Sequence, residues 1–507
     1  MNTTLQIDER LDNFRKKAIE AYHQNNGLRY SFTQFEGVYA ELTYHIVNHI
    51  LAEQDMQFLS NVLMTLLREC ISNAVKANLK RAWFKKHAAD IADETEYAEY
   101  IQRFKAEAVS RIEEHLDEMK SSGLQVHLIF DVRGDKIRFS IENNTPMTAT
   151  ELARVRERID AAARIHSMAE AMERFADDQE GAGLGLLINI MLLRKSGIGP
   201  ENFRIASDEQ RTRVSITIPR TIKLPSEIHN LMDQVMNEIG NIPTFPETIR
   251  KVIELCENPD SNTDRIVQEI EKDPSLATNI LRLANSGGFV AGNHIHSIKH
   301  GVAIIGIQNL RQLAMAMSSR EILSHQYRTF AHFWQHAEKC ATYARLLARE
   351  LGFGKRSDTV YLGGLLHDLG KILLLAIEPA KVEQINGIRL GRTENSTSTL
   401  EEITLGMSHS QVGARLAAHW QFPEEIENII RFHHSVYASP RDYIIEVSLV
   451  HLADALIQTE DRRISYVYYD ETSLDRLGIV DHEALENLHQ RIKSQYELLQ
   501  ARQSNQA

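Results

Sequence analysis

Residues 361–375 read YLGGLLHDLGKILLL. An imidazole and a carboxylate, His367 and Asp368, stand side by side in a run that is otherwise apolar, and Lys371 follows three residues on. Burying a charge in such surroundings costs free energy unless the charge is paired or coordinated. The stretch therefore predicts a buried helix built around a polar site. A cation, or the remains of a cation site, is the species that explains the pair.

Working outward, other polar residues recur on neighbouring helical stretches. HFWQHAEKCATYARLLA puts His332 and His336 one turn apart, and LGMSHSQVGARLAAHW puts His409 at a helix start. IIRFHHSVY supplies His433 and His434, and VSLVHLADAL supplies Asp454. Fourteen of the 22 histidines lie beyond residue 290, more than an even scatter would place there. Imidazoles with carboxylates suit borderline divalent ions such as Fe, Mn or Zn. Two such ions bridged by a carboxylate can hold a phosphate oxygen and activate water, and Lys371 could stabilise the charge that develops. His300, His419 and His451 are expected to be satisfied core residues, and Trp334 and Trp420 core anchors.

Upstream, Leu231–Ser286 contains a proline-punctuated loop, a helix, and then DPSL, where Asp273 can cap a helix whose first turn holds Pro274. LANSGGF ends that helix at a glycine pair. With SIKHGVAIIGIQNLRQL, this pattern resembles the HDOD domain, a signalling relative of the HD metal phosphohydrolases, over residues 223–460. The resemblance implies an all-α helical domain with a metal site at His336, His367, Asp368, His409, His433, His434 and Asp454. It implies catalytic roles for Asp368 and Lys371, and it sets His332 where some relatives carry Glu. Two-metal cyclic-dinucleotide phosphodiesterases follow the paired histidines with Glu and a Gly-Tyr-Pro loop. Here HHSVYASPRDY follows instead, so the substrate pocket differs. Most HDOD domains have lost part of the ligand set and are thought to act as noncatalytic regulators, whereas this chain carries residues at each of these places.

The first 120 residues have helical periodicity, with a polar helical insertion over about residues 84–120. LQVHLIFDV and KIRFSIENN alternate as strands around a short RGD turn, and FRIASDEQRTRVSITIP reads as strand, turn, strand. Glu69 and Asn73, four apart in RECISNAVKAN, share a helix face, and GAGLGL places Gly181, Gly183 and Gly185 before a helix. In order and spacing these pieces resemble the histidine-kinase-like ATPase superfamily, an α+β sandwich. The resemblance implies Glu69 and Asn73 at Mg²⁺ and water, the three glycines and Lys76 at the phosphates of ATP, and Asn143 at the adenine amino group. That last box departs from its Asp-x-Gly-x-Gly pattern, since Asn143-Asn144-Thr145-Pro146-Met147 stands there. His45 and His49 lack the neighbours of a phosphoacceptor histidine and read as ordinary helix residues.

The expected organisation is multidomain: a helical extension at 1–30, the ATPase-like domain at 31–222, the HDOD domain at 223–460 and a partly helical tail at 461–507. The chain of 507 residues is 43% hydrophobic and 25% charged. It shows no apolar run of membrane-spanning length and no signal-peptide pattern at its start, and its three cysteines are scattered, so a cytoplasmic protein is expected. A formal charge of −12 argues against nonspecific nucleic-acid binding. The expected function is signal transduction, with an ATPase-like sensing module coupled to an HDOD output module that contacts signalling proteins. The alternative is a metal-dependent HD-type phosphohydrolase or phosphodiesterase under N-terminal control, and a weaker one is an anti-sigma-type protein kinase.

Overall fold

Alternation builds the N-terminal sheet. Val126, Leu128 and Phe130 face the same way as Ile137, Phe139 and Ile141, and all six are buried. The computed structural model describes residues 13, 15–24, 27–35, 37–107, 115–164, 190–191, 193–194, 196–223, 226–285, 295, 297–327, 331–387, 396–461 and 469–504. Among them is one sheet of five strands: β1 (Gly27–Phe32), β2 (Val126–Arg133), β3 (Lys136–Asn143), β4 (Phe203–Ser207) and β5 (Thr212–Pro219). Every pairing is antiparallel and the order is β1-β2-β3-β5-β4. The register aligns Tyr30 with Leu128, Phe130 with Phe139, and Phe139 with Ile216, so the apolar face is continuous. Gly134, at φ +59°, makes the tight β2–β3 turn where the RGD triplet predicted one.

The strand β1 lies in a stretch expected to be helical, and its first four residues fall inside the expected helical extension. Its core-facing pair is only Tyr30 and Phe32, too short an alternation to stand out between helices. Residues 15–24 are helical. The sheet's helical partners are α1 (Gly37–Ala52) and α2 (Ser60–Lys86), and the insertion holds α3 (Glu94–Glu107) and α4 (Leu116–Ser121). Helix α5 (Ala149–Arg164) starts with a mutual cap, in which Glu151 N–H donates to the Thr148 hydroxyl and Thr148 N–H to the Glu151 carboxylate.

From residue 226 the described residues contain helices and no strands: α6 (Ser226–Asn241), α7 (Glu247–Glu257), α8 (Thr263–Glu271), α9 (Pro274–Asn285), α10 (Ile298–Ile305), α11 (Ile307–Gln326), α12 (Ala331–Glu350), α13 (Ser357–Leu366), α14 (Leu369–Ile377), α15 (Pro379–Gly387), α16 (Ser396–Leu405), α17 (His409–His419), α18 (Glu424–Phe432), α19 (Ile444–Glu460), α20 (Glu471–Leu477) and α21 (His482–Ser504). Asp273 caps α9 by accepting from Leu276 N–H at 3.0 Å. The glycine pair after it lies outside the described residues. Contrary to the expectation from the sequence, one helical stretch, Gly354–Ile377, is long and apolar enough by length and composition to cross a membrane, but 78% of its most apolar part is buried inside the protein.

Close crossings in this bundle need glycine. A Cβ on Gly364 would lie 2.8 Å from the Ala341 Cα, and one on Gly370 would overlap the His409 carbonyl oxygen. These two positions bring α13 against α12 and α14 against α17.

The C-terminal segment, expected as a partly helical tail, packs on both modules. Arg476 of α20 makes a bidentate pair with Glu41 of α1 at 2.7 and 2.9 Å. Arg68 of α2 donates to Asp470 at 2.5 Å and Glu471 at 2.6 Å, and its guanidinium lies 5.2 Å from the centre of the Tyr437 ring. Asn61 Nδ2 donates to Glu402 at 2.8 Å. Leu485, Leu488 and Ile492 of α21 are buried, because the helix lays an apolar stripe on the bundle.

Candidate metal centre

The helix of the opening stretch breaks at its polar pair. Helix α13 ends at Leu366 and α14 begins at Leu369, so His367 and Asp368 occupy the bend. In an unbroken helix adjacent side chains diverge by about 100°. Here both enter one site, and His367 Nε2 lies 3.4 Å from Asp368 Oδ2.

Four other helical segments supply the remaining groups. His336 comes from α12, His409 from the first turn of α17, His433 and His434 from the end of α18, and Asp454 from α19. His409 follows a capping box in which the Ser408 hydroxyl accepts from Gln411 N–H, so its place at a helix start is fixed locally. His367, Asp368, His409, His433, His434 and Asp454 are all buried, and His336 is partly exposed.

Asp368 stands between two groups. Its Oδ2 faces His336 Nε2 at 3.8 Å and His367 Nε2 at 3.4 Å, and His336 Nε2 is 3.0 Å from Asp454 Oδ1. Its Oδ1 faces His409 Nε2 at 3.4 Å and His433 Nε2 at 3.9 Å, with those two nitrogens 3.3 Å apart. His434 closes this second group, its ring centroid 4.1 Å from that of His433 and 4.9 Å from that of His409.

Hydrogen bonds to the far ring nitrogens fix the orientation. His367 Nδ1 donates to the Gly364 carbonyl at 2.7 Å and His433 Nδ1 to the Ile430 carbonyl at 2.8 Å. A carbonyl oxygen only accepts, so Nδ1 carries the proton and each Nε2 lone pair points into the site. His409 Nδ1 does the same toward Glu401, at 2.6 Å. The result is acceptor facing acceptor, and His367 Nε2 and Asp368 Oδ1 are buried without a hydrogen-bond partner. Orphaned acceptors converging at this spacing fit a cation site, which these imidazoles and carboxylates would line.

Electrostatics prepare the same state. Burial, reinforced by neighbouring imidazoles, holds His433 and His434 well below the usual histidine range, and burial lowers His367. Burial pushes the other way on Asp368 and Asp454, yet neighbouring imidazoles with Lys371 hold Asp368, and His336, His367 and His434 hold Asp454, well below the usual carboxylate range. Burial would also lower His336, but Asp454 and Asp368 raise it. Neutral imidazoles and ionised carboxylates are the ligating forms. Lys371 Nζ donates to Asp368 Oδ2 at 2.7 Å and keeps part of its side chain exposed, so it and His336 mark the solvent side of the site.

Residues 242–436 match the HDOD domain family. An HDOD domain lies within these residues of the C-terminal part. Six of the seven candidate ligands fall inside the matched HDOD span and Asp454 lies beyond it. An uncharacterized protein of Treponema pallidum (strain Nichols) is 29% identical over 431 residues, covering 85% of this chain and 84% of that one. An HDOD domain protein of unknown function from Geobacter sulfurreducens is 23% identical, covering 54% of this chain and 96% of its own at a TM-score of 0.42. A protein provisionally named a metal-dependent phosphohydrolase, from Shewanella amazonensis SB2B, is 20% identical, covering 54% and 100% at a TM-score of 0.39.

Glu401 was not among the residues singled out from the HDOD sequence, and it is 1% exposed. It precedes His409 by eight residues across a turn, a spacing with no helical or strand period to reveal it. His451, read as a core residue, donates from Nδ1 to the His433 carbonyl at 2.6 Å. His419 and Trp420 bond the Ile242 and Pro243 carbonyls at 3.2 and 3.1 Å. The side chain of His332 lies outside the described residues.

In the N-terminal module Glu69 and Asn73 do share a face, with Asn73 Nδ2 donating to Glu69 at 3.2 Å, and Lys76 is partly buried one turn on. Asn143 is buried at the end of β3, where its amide donates to Thr145 at 2.8 Å and Asn78 at 3.4 Å. Both its donors thus serve the fold. Gly181, Gly183 and Gly185 lie outside the described residues.

Proposed function

We propose that this chain is a signalling protein whose HDOD domain retains an HD-type dinuclear metal centre and hydrolyses a phosphate ester under the control of the N-terminal module. The observation that carries the reading is the position of Asp368, with one carboxylate oxygen turned to each of two imidazole groups. His336, His367, Asp368 and Asp454 would hold one ion, and Asp368, His409, His433 and His434 the other. Such a pair supplies charge for a phosphate oxygen and an activated water at neutral pH. The chain's own part is to keep His367, His433 and His434 neutral, to aim the imidazoles, and to hold Lys371 at the open side, where its ammonium can meet a phosphoryl oxygen. An ion set of Fe, Mn or Zn follows from the mixed imidazole and carboxylate donors.

Control by the N-terminal module rests on contacts between the two. Arg68, which packs on Tyr437 and pairs with Asp470, directly precedes Glu69 on α2, and Tyr437 follows His434 by three residues. A ligand on the Glu69–Asn73 face would therefore bear on a residue that touches the C-terminal module. ATP with Mg²⁺ is the class we propose for it.

A second reading, a metal-dependent regulator without catalysis, is favoured by Lys371, which already neutralises Asp368 in the manner of a structural counter-ion. Metal analysis with assays on a p-nitrophenyl monoester and diester separates the readings. Near-stoichiometric Fe, Mn or Zn with turnover, both lost in His367→Ala, supports the enzyme. Bound metal without turnover on either ester supports the regulator, and a metal-free native protein rules out both.

A further inference from the structure

A second convergence of donor side chains lies on the surface of the sheet module, among residues that the Asp368 site does not use. His23 belongs to the helical segment 15–24, while His49 sits in the last turn of α1 and Glu53 just beyond it. His23 Nε2 and His49 Nε2 are 3.2 Å apart. Glu53 Oε1 lies 3.7 Å from the first and 3.6 Å from the second. Those last two separations are too long for hydrogen bonds, so direct bonding within the trio accounts for one contact of three.

The triangle has another property. With edges of 3.2, 3.6 and 3.7 Å, a point exists about 2 Å from all three atoms, and about 2 Å is the distance of zinc from imidazole nitrogen and from carboxylate oxygen. The rings of His23 and His49 meet at 84° with centroids 5.3 Å apart, so they approach edge to face. The Tyr22 hydroxyl donates to the other carboxylate oxygen, Glu53 Oε2, at 3.4 Å. A partner on Oε2 leaves Oε1 turned to the histidines, as an outer group orients a ligating carboxylate.

We propose that His23, His49 and Glu53 form a second site for a borderline divalent cation, zinc foremost, separate from the centre around Asp368. Water completes its coordination, since His23 is 50% exposed and His49 and Glu53 about a third. The ion would tie the helical segment 15–24 to α1. Helix α1 is also the element whose Glu41 pairs with Arg476, so the ion would tie the segment 15–24 to a helix that contacts the C-terminal helices.

Zinc uptake by the metal-stripped full chain, titrated in competition with a chromogenic chelator, tests this. Wild type should take up one equivalent more than His23→Ala or His49→Ala. The same difference should persist when every protein also carries Asp368→Asn, which disables the other centre. All three residues are at the surface, so circular dichroism should be unchanged by the substitutions. Zinc should also slow tryptic cleavage after the exposed Lys16 and Lys17 in wild type and not in His23→Ala. Equal zinc uptake by wild type and both histidine variants, or cleavage at Lys16 and Lys17 indifferent to zinc, overturns the proposal.

Discussion

Glu401 accepts twice from His409, from the backbone N–H at 2.7 Å and from ring Nδ1 at 2.6 Å. One buried carboxylate therefore sets both the start of α17 and the direction of the imidazole lone pair. Outer partners of this type are worth about 10–100-fold in metal affinity. Glu401→Gln should weaken metal retention by that order while the fold persists. Dialysis against graded chelator, followed by metal analysis, measures it, and unchanged retention would remove Glu401 from the site.

Gly370 marks where α14 crosses α17. A Cβ there would overlap the His409 carbonyl oxygen and fall 2.6 Å from Gly413 N–H nitrogen. Both contacts are backbone, which cannot rotate aside. Gly370→Ala should cost about 1–3 kcal/mol in urea unfolding, as overpacked cores do. It should also reduce metal content, because the strain separates Asp368 from His409. Wild-type stability together with wild-type metal content would contradict the crossing described.

Arg476 and Glu41 form a bidentate pair with side chains only 8% and 5% exposed. Removing one partner strands a buried charge, which costs about 3–5 kcal/mol. Arg476→Ala should destabilise the chain by that order. Arg476→Ala with Glu41→Ala should cost less than the sum of the single changes, because the stranded carboxylate is gone. Additive costs in a double-mutant cycle would show that the pair is not coupled.

Glu402, partly buried at the junction of the modules, has its carboxyl raised from 4.5 to about 7, chiefly by burial, although Asn61 and Ser408 act to lower it. A raised acid binds its proton more tightly in the folded state. Its stabilising effect is full below about pH 4.5 and is lost as pH rises toward 7. The full shift corresponds to about 3 kcal/mol, reduced by whatever water reaches the group. Wild-type Tm should therefore fall relative to Glu402→Gln between pH 5 and pH 8. Parallel Tm profiles for the two proteins would refute this assignment.

Helix periods, the two central strands, the β2–β3 turn, the Asp273 cap and the His409 helix start were all local and legible in the residues. The apolar frame around His367 and Asp368 was legible too, since a charged pair in such a run needs a partner. Strand β1 was not, because six residues with two core-facing side chains give almost no period of their own. Glu401 was not, because its link to His409 crosses a turn. The return of α20 onto α1 was not, because Glu41 and Arg476 are separated by most of the chain.

The amino-acid order alone thus determined which residues are ionisable, which helices carry them and on which face each stands. Only the tertiary structure decided that Asp368 divides its two oxygens between two imidazole groups, that the helix breaks between Leu366 and Leu369, and that the C-terminal helices bridge the modules. The reason is one of range. Propensity and periodicity act within a few residues, whereas distances between elements follow from close packing, such as the contacts at Gly364 and Gly370, which local pattern does not encode.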